Sequence, residues 1–434
     1  MNSTTRGADY AYYLGDSGAR FAIVHWDALA EFLSAAADEQ QPVEQLVVVG
    51  AGRASLPRGV AWEDWLSRAG GRSDAHPTQA TDTAFFLYTS GSGGTPKAAI
   101  HQHKDMWVTS RSFAVGVLGL RPDDRTFSVS KLFFAYGLGN GMYFPFSVGA
   151  ATVLNPERPR PEGVFELVSK YRPTVFFSVP TFYAKLLREA ERCTPDFSSV
   201  RLAVSAGEAL PAELFERFRQ RFGLEILDGI GSTEMLHMFI STRPGAARPG
   251  TCGTEVPNYG AKIVDAQDES VRDGEIGNLW VKGQSGFAGY WSKPELTART
   301  RQGDWVNTGD KFFRDAGGHY HYCGRADDMM KVAGMWVSPG EVENAILGHP
   351  QVAEAAVVGL TDHNGLARPV AFVVAQAGVM AGPELARGIQ EFVRARLPSY
   401  KCPQEVRFQA DLPKTATGKI QRFRLREAGK GIPG

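Results

Sequence analysis

The first half of the chain alternates short apolar segments with amphipathic ones, and this alternation restricts the possible folds more than any other feature. Seven apolar runs predict strands, at 45–50, 84–88, 125–129, 150–154, 174–178, 201–205 and 224–227. Apolar residues recur with the helical period in 164–171 and in 214–222, and Pro211 and Gly223 flank the second helix as is typical of helix ends. Because few charges interrupt the strands, we expect a mostly parallel α/β sheet that is covered on both faces.

The rest of the chain predicts two smaller units. Three strand-like pieces separated by turn dipeptides predict a β-rich subdomain over about 235–324: 261–264, 277–282 and 319–322. An α+β unit follows, for which we expect a helix from Pro339, strands at 352–358 and 370–374, and a helix at about 384–397. We place the boundary at Asp327, so that a large domain spans 1–326 and a hinged small domain spans 327–434.

Composition excludes several classes of protein. Lys plus Arg and Asp plus Glu both number 47, so we expect no nucleic-acid partner. The four cysteines form no Cys-x-x-Cys pair, which favours reduced, buried thiols over a zinc site or a disulfide framework. No apolar run approaches the roughly 20 residues that cross a bilayer, and the first residues lack the apolar core of a signal peptide. We therefore expect a cytoplasmic protein without membrane association; a homo-oligomer stays open.

One segment carries the strongest chemical pattern: Leu87-Tyr-Thr-Ser-Gly-Ser-Gly-Gly-Thr-Pro-Lys-Ala98. An apolar strand runs directly into this loop, whose glycines let backbone N–H groups converge on an anion while hydroxyls and Lys97 add donors and a cation. The pattern differs from the Gly-x-x-x-x-Gly-Lys-Ser/Thr loop of nucleotide hydrolases. A surface turn has no need of four hydroxyls and a lysine after a buried strand, so the segment predicts a phosphate site.

Two further segments place polar groups near strand ends. In 227–237, Thr233 offers a hydroxyl for phosphate and Glu234 a carboxylate for a hard cation such as Mg²⁺. In 305–310, Asp310 offers a carboxylate to vicinal hydroxyls, and Arg325 follows shortly after. Each segment alone is more often a turn or a helix cap. Together, in this order, they match one pattern.

That pattern resembles the ordered core motifs of the adenylate-forming superfamily, which includes acyl- and aryl-CoA ligases, luciferases and nonribosomal adenylation domains. The matching segments are 88–98, 228–234, 308–310, 324–328 and 413–419. Two of the chain's segments, 131–140 and 228–237, resemble those of benzoate–CoA ligases in particular. The similarity spans nearly the whole chain.

The resemblance implies a nucleotide-binding role for residues in five places. The ATP phosphates would lie against Thr89, Ser90, Gly91, Ser92, Gly93, Gly94, Thr95 and Lys97. The adenine would border Gly207, Glu208 and Asp228, and the ribose hydroxyls would bond to Asp310 and Arg325. Thr233 would contact phosphate, Glu234 would hold Mg²⁺, and Lys419 would bridge the acid's carboxylate and the α-phosphate.

The resemblance also implies sites for the acid and for CoA. The aromatic acid would be lined by Phe134, Ala135, Tyr136, Gly229, Ile230 and His237. Gly334, Met335 and Trp336 would line the tunnel for the pantetheine arm of CoA, and Asp327 would be the hinge. From the residues alone, His237 is as well explained as a buried core histidine, and Phe133, Phe134 and Tyr136 as core aromatics.

The chain departs from the family's pattern at several positions. Gly93 replaces a threonine, Ala98 replaces a glycine, and Ile230 replaces a tyrosine that stacks on adenine in many relatives. Family members carry a substantial segment ahead of the region that corresponds to Tyr10–Leu14, so we expect the opening strands and helices of the large domain to be missing here.

Other patterns are weaker. Residues 137–141 resemble a dinucleotide fingerprint but lack the third glycine at the required spacing, so close helix packing explains them better. His101 and His103 form a pair two residues apart with no carboxylate ligand nearby, so we expect no metal there.

The sequence therefore predicts an ATP-dependent aryl-CoA ligase that uses Mg²⁺, activates benzoate or a close aromatic acid as its adenylate, and transfers the acyl group to CoA. Two alternatives stay open: an adenylation enzyme that loads a carrier protein, and a catalytically silent remnant.

Overall fold

The first described elements of the chain form a small parallel sheet. The computed structural model describes residues 7–36, 43–52, 54–71, 73–90, 95–332, 335–361, 367–414 and 420–430. The first elements are α1 (Gly7–Ser17), β1 (Phe21–His25), α2 (Leu29–Ala35), β2 (Gln45–Val49), β3 (Val60–Ala61) and α3 (Trp62–Ser67), with a 3-10 turn at Trp26–Ala28. The strands β1, β2 and β3 lie in that order and are parallel, and β2 confirms the strand predicted at 45–50.

A second sheet carries the predicted phosphate-loop segment. Its elements are β4 (Thr83–Ser90), β5 (Pro96–Gln102) and the following helix α4 (His103–Thr109), which continues as a π-helix at Ser110–Val115. The strands β4 and β5 are antiparallel, and their register places Thr89 opposite Lys97. The strand predicted at 84–88 is therefore present but lies outside the large parallel sheet. An apolar run alone does not distinguish a parallel strand from a hairpin strand.

The large sheet confirms the α/β fold class. Its elements are β6 (Arg125–Ser128), α5 (Ala135–Leu138), a π-helix at Gly139–Tyr143, α6 (Phe144–Ser147), β7 (Ala151–Val153), α7 (Pro161–Tyr171), β8 (Val175–Ser178), α8 (Pro180–Ala190), β9 (Leu202–Ser205), α9 (Ala212–Phe222), β10 (Ile226–Gly231), β11 (Met238–Ser241) and β12 (Thr254–Glu255). The strand order is β12-β11-β10-β9-β8-β6-β7, and β6 to β10 are parallel. Every residue of β8 and β9 is buried, because helices cover both faces.

An antiparallel sheet follows and confirms the predicted β-rich region. Its elements are β13 (Gly260–Val264), β14 (Gly277–Lys282), β15 (Gly289–Tyr290), α10 (Pro294–Thr300), β16 (Arg301–Gln302), β17 (Trp305–Arg314) and β18 (Tyr320–Arg325). The strands run in the order β13-β14-β17-β16, and β18 pairs with β17. The short strand β15 leaves this sheet and pairs with the free edge of β5. That pairing brings the β-rich region against the phosphate-loop strand.

The last part of the chain has its own core. Its elements are β19 (Met330–Val332), β20 (Met335–Val337), α11 (Pro339–Leu347), β21 (Val352–Thr361), β22 (Ala367–Ala375), α12 (Pro383–Arg394), a 3-10 turn at Ser399–Lys401, β23 (Glu405–Phe408) and α13 (Arg422–Lys430). The helix from Pro339 and both predicted strands are confirmed, and α12 ends three residues earlier than expected. Val342, Ile346, Val357 and Ile389 are among the buried residues of this separate cluster.

The cysteines are free thiols, as predicted, but not all are buried. Cys252, Cys323 and Cys402 are buried, whereas Cys193 is exposed in the loop after α8, so the expectation of four buried thiols is wrong there. Across the described part of the chain, none of the helices is both long and apolar enough to cross a membrane.

A buried ion pair joins three strands at the amino edge of the large sheet. Asp124, Thr174 and Arg201 each come directly before a parallel strand, so their side chains meet at one edge. Arg201 donates to both carboxylate oxygens of Asp124, at 2.9 and 2.7 Å, and the Thr174 hydroxyl donates at 2.6 Å. Burial alone would raise the pKa of Asp124, but these hydrogen bonds outweigh it and hold the pKa below its ordinary value.

We predict that Asp124→Ala lowers the free energy of unfolding by about 3 kcal/mol, because it leaves Arg201 and Thr174 without their shared acceptor. Asp123→Ala is the matched control, since Asp123 pairs with Arg121 on the surface, where both side chains are more than half exposed. Denaturant unfolding of the two variants measures the difference. Equal stability of the two variants would show that the cluster does not hold the strands together.

Candidate active site

A sharp turn follows β10 and carries two of the predicted site residues. A 3-10 turn at Thr233–Met235 begins after Ser232, whose hydroxyl accepts a hydrogen bond from the Met235 N–H at 3.3 Å. Leu236 then takes a left-handed conformation with φ of 66°, and the chain returns as β11. A Cβ on Gly231 would lie 2.6 Å from the carbonyl oxygen of His237, so only glycine permits so close a return. The turn therefore presents Thr233 and Glu234 at the end of β10.

Lys97, Glu234 and Tyr290 form a charged cluster at this turn. The Lys97 Nζ lies 3.3 Å from the Glu234 Oε1, and both side chains are largely buried. The Tyr290 hydroxyl donates to the Glu234 Oε1 at 2.5 Å and accepts from the Lys97 Nζ at 2.5 Å. The three residues come from β5, the turn after β10 and β15, so the cluster joins three separate sheet elements.

The cluster keeps Glu234 charged. Burial alone would raise the pKa of this carboxyl, but the charge of Lys97 and the hydrogen bond from Tyr290 hold it below its ordinary value. Burial also raises the pKa of the Tyr290 phenol, and the neighbouring Glu234 raises it further, so Tyr290 stays a donor. An anionic carboxylate beside a lysine is an arrangement that can hold a cation and a phosphate together.

A second, apolar part of the site surrounds His237. Its ring lies 5.2 Å from that of Phe113, 5.4 Å from that of Tyr136 and 4.5 Å from that of Phe144. Its Nε2 lies 3.2 Å from the Asn140 Oδ1. A Cβ on Gly139 would lie 2.7 Å from the His237 ring, which explains the glycine-rich segment 137–141 by close packing, as predicted.

Neutral groups dominate this second part. Complete burial lowers the pKa of His237 to about 3, against a smaller opposing effect of the Tyr136 backbone. Burial also raises the pKa of Asp228 well above its ordinary value, although the Gly229 N–H and Ser205 oppose that shift. The His237 ring is therefore uncharged near pH 7, in contrast to the carboxylate of Glu234.

The other predicted substrate residues lie in α5, directly before it, and in β10. Tyr136 begins a short helix with Ala135, and its hydroxyl donates to the Val204 carbonyl in β9 at 3.2 Å. Gly229 and Ile230 lie in β10, and Phe134 precedes the short helix and packs against Phe133. Thus Tyr136 and His237 are in ring contact, while Phe134 contacts its chain neighbour.

The predicted ribose residues form a pair in the β-rich sheet. Asp310 and Arg325 are register partners in β17 and β18, and the Arg325 Nη1 donates to the Asp310 Oδ1 at 3.2 Å. The charge of Arg325 has a small lowering effect on the pKa of the Tyr290 phenol. Burial raises the pKa of the Cys252 thiol, and the nearby Asp228 and Asp310 raise it further. Asp228 and Asp310 therefore both lie near this buried thiol.

The other predicted residues lie in separate parts of the chain. Gly207 follows β9 with φ of 91°, and the Glu208 Oε2 accepts from the Thr181 N–H at the start of α8. Thr89, Ser90 and Thr95 flank the loop, whose residues 91–94 lie outside the described residues, as do Gly334 and Lys419. Met335 and Trp336 lie in β20, and Asp327 lies between β18 and β19.

The described residues contain no group of three or more His, Cys, Asp or Glu side chains that could hold a metal ion by themselves. Glu234 alone nevertheless fits the predicted role, because Mg²⁺ at nucleotide sites usually takes one or two carboxylates together with phosphate oxygens and water.

Sequence analysis missed Tyr290, the residue that joins Lys97 to Glu234. It lies in a two-residue strand, 193 residues beyond Lys97, and no local pattern distinguishes it from other buried tyrosines. It also missed Phe113, Asn140 and Phe144 around His237. Only the packing of distant segments reveals these residues.

Comparison with known proteins matches the chain to two family models. The model described as AMP-binding enzyme matches residues 1–291, and the model described as AMP-binding enzyme C-terminal domain matches residues 341–419. A benzoate–CoA ligase from Thauera aromatica is 44% identical over 430 residues, which cover 99% of this chain and 80% of that protein.

Two solved structures are also similar. A benzoate CoA ligase from Burkholderia xenovorans LB400 superimposes with a TM-score of 0.88 at 43% identity, covering 98% of this chain and 83% of that one. The anthranilate CoA ligase AuaEII in complex with anthranoyl-AMP superimposes with a TM-score of 0.93 at 40% identity, covering 99% and 81%. The matched region covers nearly all of this chain, so it spans the segments that carry the charged cluster and the aromatic part of the site.

We predict a stability change with pH that depends on His237. Its folded-state pKa of about 3 lies below the ordinary 6.5, so the unfolded chain binds more protons between these values. Stability is therefore fully present above about pH 6.5 and falls as the pH drops toward 3. From pH 7 to pH 5 this one group removes about 2 kcal/mol.

His237→Gln should lose that share of the acid sensitivity, measured as the change in denaturant midpoint between pH 7 and pH 5. His103→Gln, at an exposed histidine, is the control and should keep the wild-type sensitivity. An unchanged slope in His237→Gln would show that this imidazole titrates normally in the folded protein.

Proposed function

The chain belongs to the AMP-binding enzyme family, and on that premise we propose that it is an ATP-dependent ligase that joins benzoate or a close aromatic acid to CoA. AMP and pyrophosphate would be the other products. The observation that carries the proposal is that two unlike parts of the site are close in the chain: Glu234 belongs to a charged cluster with Lys97, and His237, three positions further on, belongs to a cluster of aromatic rings.

The charged half suits the first chemical step. A carboxylate oxygen of the acid would attack the α-phosphorus of ATP, the bond to the β-phosphate would break, and pyrophosphate would leave. Two anions meet in this step, so cations at the site lower its barrier. Lys97 would neutralise phosphate charge, Thr233 would donate to a phosphate oxygen, and Glu234 would hold Mg²⁺, which supplies further positive charge when it is bound.

The uncharged half suits the acid's ring. His237 is neutral near pH 7 and lies among the rings of Phe113, Tyr136 and Phe144, so the surroundings are flat and apolar. Aromatic rings prefer such neighbours at offset or edge-on angles. The acid's carboxylate would then point away from the rings toward the phosphate cluster. A long acyl chain gains less from this shape.

The second step needs a different set of groups at the same place. The CoA thiolate would attack the acyl carbon of the adenylate, and AMP would leave. We propose that the small domain, 327–434, turns about Asp327 between the steps, withdrawing Lys419 and presenting Gly334, Met335 and Trp336 to the pantetheine arm. Asp328, beside this hinge, accepts from Arg426 of α13 at 2.7 Å, which ties the hinge to the last helix.

We further propose that Mg²⁺ is required, that the protein acts in the cytoplasm, and that its partners are small molecules. The adenine would lie against Gly207, Glu208 and Asp228, and the ribose against Asp310 and Arg325.

We predict that acid selectivity follows the ring cluster. The rate of thioester formation with free CoA should be on the order of 10²-fold higher for benzoate than for acetate or palmitate, expressed as kcat/KM. The measurement is direct chromatographic detection of the acyl-CoA. Equal or better activity with palmitate would overturn the aryl assignment, and adenylate formation without transfer to free CoA would favour a carrier-loading enzyme.

We also predict that the two steps separate by mutation. Lys419→Ala should lose roughly a hundredfold in benzoyl-AMP formation, because it removes a cation from the reacting phosphate. The same variant, given preformed benzoyl-AMP and CoA, should make the thioester at close to the wild-type rate. Gly334→Glu should keep benzoyl-AMP formation and lose thioester formation, because a bulky charged side chain would block the tunnel for the pantetheine arm. Loss of both steps together in both variants would contradict the division of labour across the hinge.

A further inference from the structure

A buried histidine reaches the back of the Thr233–Glu234 turn. His101, at the end of β5, has no exposed surface, and its Nε2 lies 2.8 Å from the carbonyl oxygen of Thr233. Its Nδ1 lies 2.9 Å from the Oδ2 of Asp105, which is also fully buried. The expectation that no carboxylate lies near His101 is therefore wrong, because α4 turns Asp105 back toward β5.

The two ring nitrogens of His101 both face hydrogen-bond acceptors. A carbonyl oxygen accepts only, so the Nε2 must carry a proton. The Nδ1 faces the Oδ2 of Asp105, which also accepts from the Gln102 N–H at 2.9 Å. Asp105 thus orients the ring whose Nε2 donates to Thr233.

Hydrogen bonds from other elements to three backbone carbonyl oxygens hold the turn in place. The Thr233 oxygen accepts from His101, the Glu234 oxygen accepts from the Phe287 N–H at 2.7 Å, and the Met235 oxygen accepts from the Ser285 hydroxyl at 2.9 Å. The last two donors come from the β-rich region. His101 is the donor that ties the turn to β5.

The strand β5 also carries Lys97. Lys97 and His101 are four residues apart in one strand, and side chains at that spacing lie on the same face. One strand therefore contacts the turn twice, through Lys97 on the Glu234 side chain and through His101 on the Thr233 backbone. The two contacts set the distance between the lysine and the residues proposed to bind phosphate and Mg²⁺.

We infer that His101 and Asp105 are positioning residues that fix the Thr233–Glu234 turn against Lys97 and so set the affinity of the site for Mg²⁺ and the nucleotide triphosphate. This inference rests on the proposed function for the identity of the ligand. Neither residue would touch the nucleotide, and their effect passes through one backbone hydrogen bond.

Two substitutions at one position isolate that hydrogen bond. His101→Gln and His101→Leu both remove the imidazole from Asp105, so in both variants the buried carboxylate keeps the Gln102 N–H and loses its contact with the ring. Only glutamine keeps an N–H that can reach the Thr233 oxygen. Asp105→Asn is an independent variant, because an amide there either leaves the His101 Nε2 without its proton or opposes the Gln102 N–H.

The test is calorimetric binding of the non-hydrolysable analogue α,β-methylene-ATP with Mg²⁺, alongside the melting temperature of each variant. We expect His101→Leu and Asp105→Asn to bind about tenfold more weakly than the wild type, which is the size expected for losing a buried hydrogen bond. His101→Gln should stay within about threefold of the wild type. The control His103→Gln, at an exposed residue of α4, should bind the analogue as tightly as the wild type does.

Equal analogue affinity in His101→Leu and His101→Gln would overturn the inference, whatever their melting temperatures. If His101 and Asp105 had a purely structural role, both variants would lose stability but would bind the analogue equally well. If the wild type binds the analogue but forms no benzoyl-CoA, the proposed function fails and the positioning role stands. If the wild type does not bind the analogue, both fail.

Discussion

The structure depends on the buried contact between Lys97 and Glu234, bridged by the Tyr290 hydroxyl. These residues come from β5, from the turn after β10, and from β15, which is a strand of the β-rich region. A buried charge is costly unless it is paired, so the three elements must meet in one arrangement for the fold to be stable. The same pairing leaves an anion and a cation side by side, which is the arrangement that a metal-bound phosphate needs.

The site combines charged surroundings at Glu234 with uncharged surroundings at His237. At Glu234 the neighbouring charge outweighs burial and keeps the carboxylate ionised, whereas at Asp228 burial outweighs two hydrogen bonds and raises the pKa of the carboxyl. His237 is kept neutral by the same burial. We propose that an acid with a flat ring and a charged head matches both parts, since its ring would avoid the charges and its carboxylate would meet the charged cluster.

Much of the fold followed from local sequence patterns, and much of the site did not. The helix between Pro211 and Gly223 was predictable because its apolar period and its end residues act within one turn of chain. The strand at 84–88 was predicted correctly, but its antiparallel pairing with β5 was not, because an apolar run alone does not distinguish a parallel strand from a hairpin strand. Tyr290 and the contact of His101 with Thr233 span more than a hundred residues, so no local pattern marks them.

The central claim is that the site activates the acid before CoA takes part. The direct measurement is exchange of labelled pyrophosphate into ATP with Mg²⁺ and benzoate present and CoA absent. We expect exchange that requires benzoate, because the adenylate must form reversibly at the cluster of Lys97 and Glu234. Benzoyl-CoA formation that is accompanied by no such exchange, or exchange that begins only when CoA is added, would contradict it.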